Sequence, residues 1–343
     1  MLPFISDSVP GIGGVLRTEP EDFIVQELPA YEPSGEGEHL IIEITKRQIT
    51  TQAIAGELAR LLECPLDAVG FAGMKDRQAV TTQRFSVPAD AAVDKLQECS
   101  AQVRILGLHR NKIRKGHLLG NRFRIRVRQA HPDWKSRCQE IGSLLASRGF
   151  PNFYGPQRFG REGGNAAIGE KALKTGKLFG PKWRRWLMIS ALQSQLFNEY
   201  LCQRIADGLF STALSGDVFG HLPRGGVFVS TAPEEEQPRL DSFEISPMGP
   251  IYGYKMMKAK DRALRREEDL LAARGIDLES FRALKAEGSR RRIRLRPENF
   301  YLETQDGDPL FCVDLPAGTY ATVFLNEFMK TADCQGEESD IDD

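Results

Sequence analysis

The stretch NRFRIRVR, residues 121 to 128, carries the clearest structural pattern of this chain. In an extended backbone its side chains alternate, with Phe123, Ile125 and Val127 on one face and arginines on the other. The arginines are Arg122, Arg124, Arg126 and Arg128. This period of two predicts a β-strand with one face against a core and a basic opposite face.

Further strand patterns lie on both sides of this segment. Upstream, RTEPEDFIVQEL (17–28), HLIIEITKR (39–47), VGFAG (69–73) and TTQRFSV (81–87) predict four strands. Downstream, the run LFCVDLPAGTYATVFLNEFMK (310–330) predicts strands again, with a turn at its Pro-Ala-Gly. Both ends of the chain are therefore expected to be rich in strands.

One helix interrupts the first group of strands. The segment TTQAIAGELARLLECP places Ile54, Leu58 and Leu61 at spacings of four and three, on one helical face. Thr51 is the expected N-cap, and Pro65 is the expected stop.

The middle of the chain is helical and basic. From Pro181 to Gly208, apolar side chains recur every three or four residues and predict one long amphipathic helix, with Trp186 on its apolar face. Residues 255–296 predict mostly helix and end near the basic cluster SRRRIRLRP (289–297). Strand-rich ends around this middle predict an α+β protein in which a discontinuous domain carries a large insertion.

Composition excludes several classes of protein. At 343 residues the chain is long for one core, which favours two domains or one domain with an insertion. No run reaches the roughly 18 apolar residues that span a bilayer, and no signal peptide is evident, so we expect a cytoplasmic protein without membrane contact. The six cysteines and five histidines are scattered without zinc-ligand spacing, and we expect no metal site.

Charge is unevenly distributed along the chain. Residues 331–343 hold six acids and no base; subtracting this −6 from the net charge of −1 leaves +5 on the rest. This acidic tail is expected to be disordered. From Arg104 to Arg128, nine Lys or Arg residues occur without one acid. Such clustering costs self-repulsion that a polyanion offsets, so a nucleic acid is the natural partner, and the arginine strand is a candidate contact for its phosphates.

One acid in a basic loop stands out as a chemical candidate. The segment GMKDRQAVTTQRFSV (73–87) places Asp76 between Lys75 and Arg77. A loop aspartate is more often a turn former or an ion-pair partner than a catalyst. Here, however, cations on both sides favour the ionised carboxylate, which suits nucleophilic attack and does not suit proton donation.

The residues alone leave three functions open. The first is an enzyme that uses Asp76 as a nucleophile. The second is a non-catalytic RNA-binding protein or chaperone. The third is a nucleoside hydrolase or glycosidase with a second carboxylate supplied by the fold. Phe123 is either a core residue or a platform for stacking a base. The cluster SRRRIRLRP either contacts phosphate or packs on the core. The three tryptophans (Trp134, Trp183 and Trp186) fit packing within helices better than a ligand cage.

The ordered motifs resemble those of one known family. GMKDRQAVTTQRFSV, GNRFRIRVR and PNFYGPQRFGREGGN, together with RTEPEDFIVQELPAYEPSGEGEHL near the start and LPAGTYATVFLNEFM near the end, resemble the TruD family of tRNA pseudouridine synthases. The resemblance covers nearly the whole chain except the acidic tail. It implies a mixed, largely antiparallel catalytic sheet in residues 1–151 and 298–330, with a mostly helical α/β insertion domain at 152–297.

The resemblance also implies an activity and a set of site residues. Members isomerise a uridine of tRNA, at position 13, to pseudouridine without cofactor or metal, and we expect a monomer. The family's catalytic aspartate corresponds to Asp76. Substrate-binding roles fall on Lys75, Arg77, Asn121, Phe123, Tyr320 and Arg17. Tyr320 stands where many members have Phe, and Arg17 stands where some have Lys.

Overall fold

A computed structural model describes residues 2–75, 77–160, 163–223 and 225–331 of the chain. These residues form two compact units, each of them discontinuous in sequence. The first unit contains the described residues of Met1–Ile12, Ser136–Arg296 and Thr319–Ser339. The second unit contains those of Gly13–Lys135 and Pro297–Gly318.

Strands and helices alternate irregularly along the described residues. The strands are β1 Phe23–Pro29, β2 His39–Arg47, β3 Gly70–Phe71, β4 Val80–Pro88, β5 Gln102–His109, β6 Leu118–Arg126, β7 Phe150–Pro151, β8 Val218–His221, β9 Val227–Val229, β10 Ile245–Ile251, β11 Ser289–Arg292, β12 Arg294–Leu295, β13 Glu298–Gln305 and β14 Asp308–Pro316. The helices are α1 Thr51–Leu61, α2 Trp134–Arg148, α3 Asn165–Thr175, α4 Lys182–Ala206, α5 Pro233–Asp241, α6 Asp261–Arg274, α7 Ser280–Ala283 and α8 Ala321–Met329.

The second unit is built on one eight-stranded sheet. Its strands follow the order β13-β14-β6-β1-β4-β2-β5, and β3 pairs with β4. Only β1 and β4 are parallel neighbours, and every other adjacent pair is antiparallel. The α+β fold with a mixed, largely antiparallel sheet is therefore confirmed. Strand β6, which carries the pattern NRFRIRVR, lies near the middle of this order.

The buried apolar face of β6 is confirmed. Phe123, Ile125 and the following Val127 are buried, whereas Arg122 and Arg124 are exposed on the other face. Gly120 allows β6 to approach β14 closely, because a Cβ at this position would lie 2.2 Å from the carbonyl oxygen of Leu315.

Helix α1 packs on the sheet with the predicted face. Ile54 and Leu58 are buried in one cluster with Ile42, Ile44 and Phe85 of the strands. The expected N-cap is wrong by one residue. Thr50 is the N-cap, and its side chain accepts a hydrogen bond from the N–H of Ala53 at 3.1 Å. The hydroxyl of Thr51 is thus left for another role, in the loop before β4.

Helix α4 organises the first unit. It packs on α3 and on the sheet β11-β10-β8-β9, and Leu192 and Leu196 share an apolar cluster with Tyr252 of the β10–α6 segment. The expected long helix is confirmed at residues 182–206. Its expected apolar face is wrong at Trp186, which is 64% exposed. The helix therefore meets the core only from its second turn onward.

The basic end of the middle segment differs from the helical expectation. Residues 289–295 form strands β11 and β12, not the end of a helix. Pairing with β10 and β7 supplies these residues with backbone partners from distant parts of the chain. Helices α6 and α7 account for the helical part of 255–296.

The segment TYATVFL forms the start of helix α8, so the expected strand there is wrong. Phe324, Leu325, Phe328 and Met329 recur at a helical spacing and are buried, and this packing outweighs the strand preference of Thr322 and Val323. Burial of an apolar face is the larger energy here.

Helix α8 also binds the start of the chain within the first unit. The buried carboxylate of Glu327 accepts hydrogen bonds from the N–H groups of Ile5 and Ser6, at 3.0 and 3.1 Å, and from the Ser6 hydroxyl at 2.7 Å. Burial raises the pKa of Glu327 despite these donors. The two ends of the described chain are thereby joined by one side chain.

The compact units do not follow the expected domain boundaries throughout. Residues 2–12, 136–151 and 319–330, expected in the discontinuous catalytic domain, lie in the same unit as 152–296. The assignment of 152–297 as an insertion domain stays a prediction. The acidic tail from residue 332 onward lies outside the described residues. Among the helices that are described, none has the length and apolar character to cross a membrane.

Candidate active site

The candidate site is built on the loop that leads into β4. This loop joins β3 to β4, and β4 lies beside β1 in the parallel pair of the sheet. Asp76, the expected catalytic residue, lies outside the described residues. Lys75 and Arg77 on either side of it are described; Lys75 is buried and Arg77 is exposed.

Lys75 points its ammonium group into a buried polar cluster. Its Nζ lies 3.2 Å from Oε2 of Glu27 and donates a hydrogen bond to Oδ1 of Asn121 at 2.5 Å. Glu27 on β1 and Asn121 on β6 are direct neighbours across the antiparallel ladder. The strand register therefore brings together two residues that are far apart in sequence, and Lys75 joins both.

Glu27 is the hidden member of this cluster. Its side chain is 2% exposed and that of Lys75 is 4% exposed. A buried charge without a partner costs several kcal/mol, so Glu27 stabilises the ammonium group in this position. The second carboxylate oxygen of Glu27 accepts a hydrogen bond from the N–H of Arg84 on β4, at 3.3 Å. Glu27 thus connects β1, β4 and the loop.

The backbone of the loop is held by a separate chain of hydrogen bonds. The N–H of Lys75 donates to the Thr51 hydroxyl at 3.0 Å, and this hydroxyl donates to Oε1 of Gln83 at 2.8 Å. The Gln83 amide in turn donates to the carbonyl of Gly73 at 3.2 Å. Residues 73 to 75 are therefore fixed to α1 and to β4.

Sequence reasoning missed Glu27, Thr51 and Gln83 as parts of the site. A signal for Glu27 was present: in FIVQE the alternation puts Phe23, Val25 and Glu27 on one face, and a glutamate in phase with two core residues needs a buried partner. Nothing local marks Thr51 or Gln83, because their bonds depend on tertiary contacts.

Phe123 and Arg17 lie near each other around a third side chain. Phe123 is 5% exposed and packs edge-to-face on Phe23, with ring centroids 6.1 Å apart. The guanidinium of Arg17 lies 4.3 Å from the centroid of the Phe23 ring. The structure thus places Phe123 in the core, which is the first of the two roles that the sequence left open.

Tyr320 belongs to the first unit, where it precedes helix α8. Its ring contacts the ring of Tyr154 at 6.0 Å, and a Cβ on Gly155 would lie 3.0 Å from the Tyr320 ring. Arg291 lies 4.0 Å from the centroid of Tyr154. Burial raises the pKa of the Tyr320 hydroxyl, although Arg158 and Arg291 act in the opposite direction. Tyr320 is only half-buried, unlike Phe123.

Arg122 and Arg124, the first two arginines of β6, are ion-paired but remain half-exposed. Arg122 makes a bidentate pair with Asp314, with both distances 2.8 Å, and Arg124 pairs with Glu303 at 3.3 Å. Burial opposes ionisation of Asp314, but hydrogen bonds from Arg122 and Asn299 outweigh it and lower the pKa of Asp314. Phosphate contacts by Arg122 and Arg124 stay a prediction.

The other two arginines of the row are held more tightly. Arg126 binds Asp306 at 2.8 Å and Asp308 at 2.7 Å, and its side chain is 9% exposed. Arg128 binds Asp22 at 2.7 Å. All four arginines of the row were predicted to contact phosphates; for Arg126 and Arg128 this stays a prediction, and carboxylates of the same unit pair with both guanidinium groups.

The cluster SRRRIRLRP is likewise engaged inside the protein. Arg290 binds Oε2 of Glu267 at 3.0 Å, and Arg291 donates to Oδ1 of Asn152 at 2.7 Å. Arg294 is 2% exposed, and its guanidinium lies 4.0 Å from the centroid of the Phe243 ring. Of the two roles that the sequence left open, packing on the core describes these arginines.

Comparison with known proteins identifies relatives over almost the whole chain. The sequence model of the family described as tRNA pseudouridine synthase D (TruD) matches residues 2–178 and 181–328. A tRNA pseudouridine synthase D of Anaeromyxobacter sp. (strain Fw109-5) is 44% identical over 350 residues, which cover 99% of both chains. One of Thermus thermophilus is 40% identical, and the alignment covers 96% of this chain and 92% of the relative.

The fold has a counterpart among solved structures. A crystal structure assigned to tRNA pseudouridine synthase D from Methanosarcina mazei superposes with a TM-score of 0.79. The two chains are 24% identical, and the superposition covers 97% of each. At this identity the likeness supports only the fold, and the family assignment rests on the relatives with higher sequence identity.

Proposed function

The chain belongs to the tRNA pseudouridine synthase D family, and we propose that it isomerises a uridine of tRNA, at position 13, to pseudouridine. The observation that carries this proposal is the match of the family over residues 2–178 and 181–328, which includes the loop, β1 and β6. The Glu27–Lys75–Asn121 cluster supports it, because it anchors the residue next to Asp76.

The reaction exchanges one bond of the nucleotide for another. The N1–C1′ bond breaks, the uracil turns, and C5 bonds to C1′; C5 then loses its proton while N1 gains one, so the product is an isomer of the substrate. No electrons are gained or lost, and we propose that the reaction needs neither a cofactor nor a metal. A carboxylate beside the sugar is the group that this chemistry requires.

We assign that role to Asp76. As a carboxylate it either adds to C1′, forming a sugar ester that is later released, or accepts a proton from C2′ so that a glycal forms. Both routes require the ionised form, which the neighbouring cation Arg77 favours. The hydrogen bonds that fix Lys75 support a loop held ready for this step.

The target base must leave its stack in the folded RNA, which costs a few kcal/mol. We assign stacking on the extruded uracil to Tyr320 rather than to Phe123, because Tyr320 is half-buried whereas Phe123 is enclosed in the core. Asn121 offers amide donors to the base edge while its Oδ1 accepts from Lys75.

The basic residues of the second unit are assigned in two groups. Arg17 and Arg77 are proposed to bind substrate near the loop, and the half-exposed Arg122 and Arg124 to contact the RNA backbone. Arg126 and Arg128 are proposed to be structural, because carboxylates hold them. A cytoplasmic monomer remains the expected form of the protein.

Nucleoside analysis of tRNA treated with the protein tests the proposal. Asp76→Asn is nearly isosteric and should lower pseudouridine formation by about a thousandfold or more, while tRNA still binds. The matched control is Asp90→Asn, at an exposed acid close to the end of β4, which should keep full activity. Activity of Asp76→Asn within tenfold of the wild type would refute the assignment.

The same measurement separates the alternatives. A nucleoside hydrolase or glycosidase would release free uracil, and a non-catalytic RNA-binding protein would leave uridine unchanged. Neither outcome is compatible with the proposed function.

A further inference from the structure

A surface of aromatic and basic side chains lies where α3 passes into α4. Helix α3 ends at Thr175 with Gly176 as its C-cap, and α4 begins after Pro181; the left-handed φ of Gly180, 112°, turns the chain between them. The surface consists of Phe179, Trp183, Trp186, Lys177, Lys182, Arg184 and Arg185. We call it the aromatic–basic surface.

The aromatic rings of this surface are unusually exposed. Phe179 is 83% exposed, Trp186 64% and Trp183 56%, which makes them three of the four most exposed large apolar side chains among the described residues. The rings are not exposed because the helix is interrupted: α4 is continuous from Lys182, and its first buried side chain is Met188. Large rings grouped outside a core mark a binding surface.

The charge of the segment has one sign. From Lys171 to Asn198 there are six Lys or Arg residues and no Asp or Glu. Lys174 pairs with Glu170, whereas no described carboxylate forms an ion pair with Lys177, Lys182, Arg184 or Arg185. These four cations are exposed and are available to an anionic partner.

One ring of the surface is held in place from outside the helix. The guanidinium of Arg158 lies 5.6 Å from the centroid of Trp186 and 5.7 Å from that of Tyr154, and its Nε donates to the Ser194 hydroxyl at 3.2 Å. Trp183 and Trp186 are three positions apart and so project from neighbouring parts of the helix surface. Trp183 and Trp186 therefore form an exposed aromatic platform on α4, and Arg158 holds Trp186 in place.

We propose that the aromatic–basic surface binds unpaired nucleotides of the RNA substrate outside the target uridine. Exposed rings stack on bases whatever their sequence, and interleaved cations contact the phosphates between them. A duplex hides its base faces and does not fit such a platform. The inference rests on the proposed function for the identity of the RNA, and it goes beyond it by naming a second contact region.

Part of this surface lies outside the segments that the family model matches. Phe179 and Gly180 lie between the two segments that the family model matches. Phe179 is also the most exposed of the three rings. The surface is also far in sequence from the loop that joins β3 to β4, so its variants leave that loop unchanged.

Binding of a short single-stranded oligoadenylate tests the proposal, because this probe contains no uridine and cannot occupy the target pocket. We expect it to bind the full-length protein and to quench tryptophan fluorescence. The variant Phe179→Ala/Trp183→Ala/Trp186→Ala should raise the Kd for oligoadenylate and for tRNA by about tenfold or more. The matched control, Leu66→Ala/Ile105→Ala, removes comparably exposed apolar side chains and should leave both Kd values unchanged.

Two conservative variants distinguish stacking from apolar docking. Trp183→Phe/Trp186→Phe keeps the ring faces, and its Kd for oligoadenylate should stay within about threefold of the wild-type value. Trp183→Leu/Trp186→Leu keeps apolar volume without a ring and should bind more weakly than the phenylalanine variant, although Phe179 keeps its binding above that of the triple alanine variant. Equal binding by the leucine and phenylalanine variants would overturn the stacking role.

Other outcomes also overturn the proposal. These are an unchanged Kd in the triple alanine variant, equal affinity for duplex RNA, binding to phosphatidylserine vesicles without binding to oligoadenylate, or self-association that the variant abolishes. Failure of the proposed function is seen separately, as the absence of pseudouridine in tRNA while oligoadenylate binding persists.

Discussion

The arginine row of β6 and the aromatic–basic surface carry similar runs of positive charge in sequence, yet the fold treats them in opposite ways. In the row, four guanidinium groups meet carboxylates of the same unit, among them Asp314 and Asp308. In the aromatic–basic surface, Lys182, Arg184 and Arg185 form no ion pair with a described carboxylate. The count of basic residues alone does not separate the two.

Pairing within the protein decides whether a cation is available to a ligand. A paired guanidinium must lose its carboxylate, or share it, before it binds a phosphate, whereas a solvated one releases only water and counterions. We therefore expect variants of the row to change stability and variants of the aromatic–basic surface to change affinity.

The largest effect is expected at the most buried pair. Glu27→Gln leaves the Lys75 ammonium without its carboxylate and should lower the free energy of unfolding by about 3 kcal/mol or more, measured by urea denaturation. The matched control is Glu32→Gln, which removes the exposed partner of Arg84 and should cost less than about 1 kcal/mol. Equal losses in the two variants would mean that the Lys75 pair is not buried in solution.

Within the row, Arg126→Met should lower the free energy of unfolding by about 1–3 kcal/mol, because Asp306 and Asp308 lose charged hydrogen bonds. Arg124→Met, at a half-exposed pair, should cost less than about 1 kcal/mol. A rise in the Kd for tRNA in Arg126→Met, at a temperature where it stays folded, would contradict its structural role.

The salt dependence of tRNA binding distinguishes paired from unpaired cations. Lys182→Ala/Arg184→Ala/Arg185→Ala should reduce the slope of log K against log salt by about 0.7 for each phosphate that the variant no longer binds, or about 2 in total. The matched control is Lys95→Ala/Arg104→Ala/Arg110→Ala, which removes three exposed cations that are paired with glutamates, and its slope should not change. Equal slopes in the two triple variants would remove the distinction between paired and unpaired cations.

The smallest effect concerns pH. Because Arg122 and Asn299 lower the pKa of Asp314 in the folded protein, its ionised form stabilises the fold above the unfolded pKa of about 3.9. This contribution is lost as the pH falls through the lower folded pKa. The difference in unfolding free energy between wild type and Asp314→Asn should therefore be largest near neutral pH and shrink towards pH 3. A constant difference would indicate that Asp314 is not the titrating group.

Regular patterns were predicted well from the sequence. The alternation of NRFRIRVR located β6 and its buried face, and the spacing of Ile54, Leu58 and Leu61 located α1. Both depend only on neighbouring residues and on which face is apolar, so local sequence is sufficient. The family motifs added the loop with Lys75 and Asn121, which the structure then joined by a hydrogen bond.

Long-range pairing was not predictable in the same way. Arg122 and Asp314 are 192 positions apart, so an inspection of the acid-poor run 104–128 could not show that its arginines are neutralised. The capping error at Thr51 has a similar origin, since its hydroxyl is committed to Lys75 and Gln83 and leaves the cap to Thr50. In both cases a tertiary contact decides what a polar side chain does.

Amphipathic patterns also do not show where a core ends. Trp186 lies in register with Ile189 and Leu192, and only the fold shows that α4 has not yet reached its packing partners at this point. The segment TYATVFL fails for the reverse reason: its residues favour strands, but burial of Phe324 and Phe328 makes it a helix.

The clasp between Glu327 and residues 5 and 6 has a consequence for synthesis. On the ribosome, residue 5 emerges 322 residues before the carboxylate that it binds. The sheet of the other unit also cannot be completed early, because β13 and β14 come from residues 298–316. A translation product that stops before residue 298 therefore lacks a piece of each unit, and we expect quality-control proteases to remove it rather than leave a half-enzyme that sequesters tRNA.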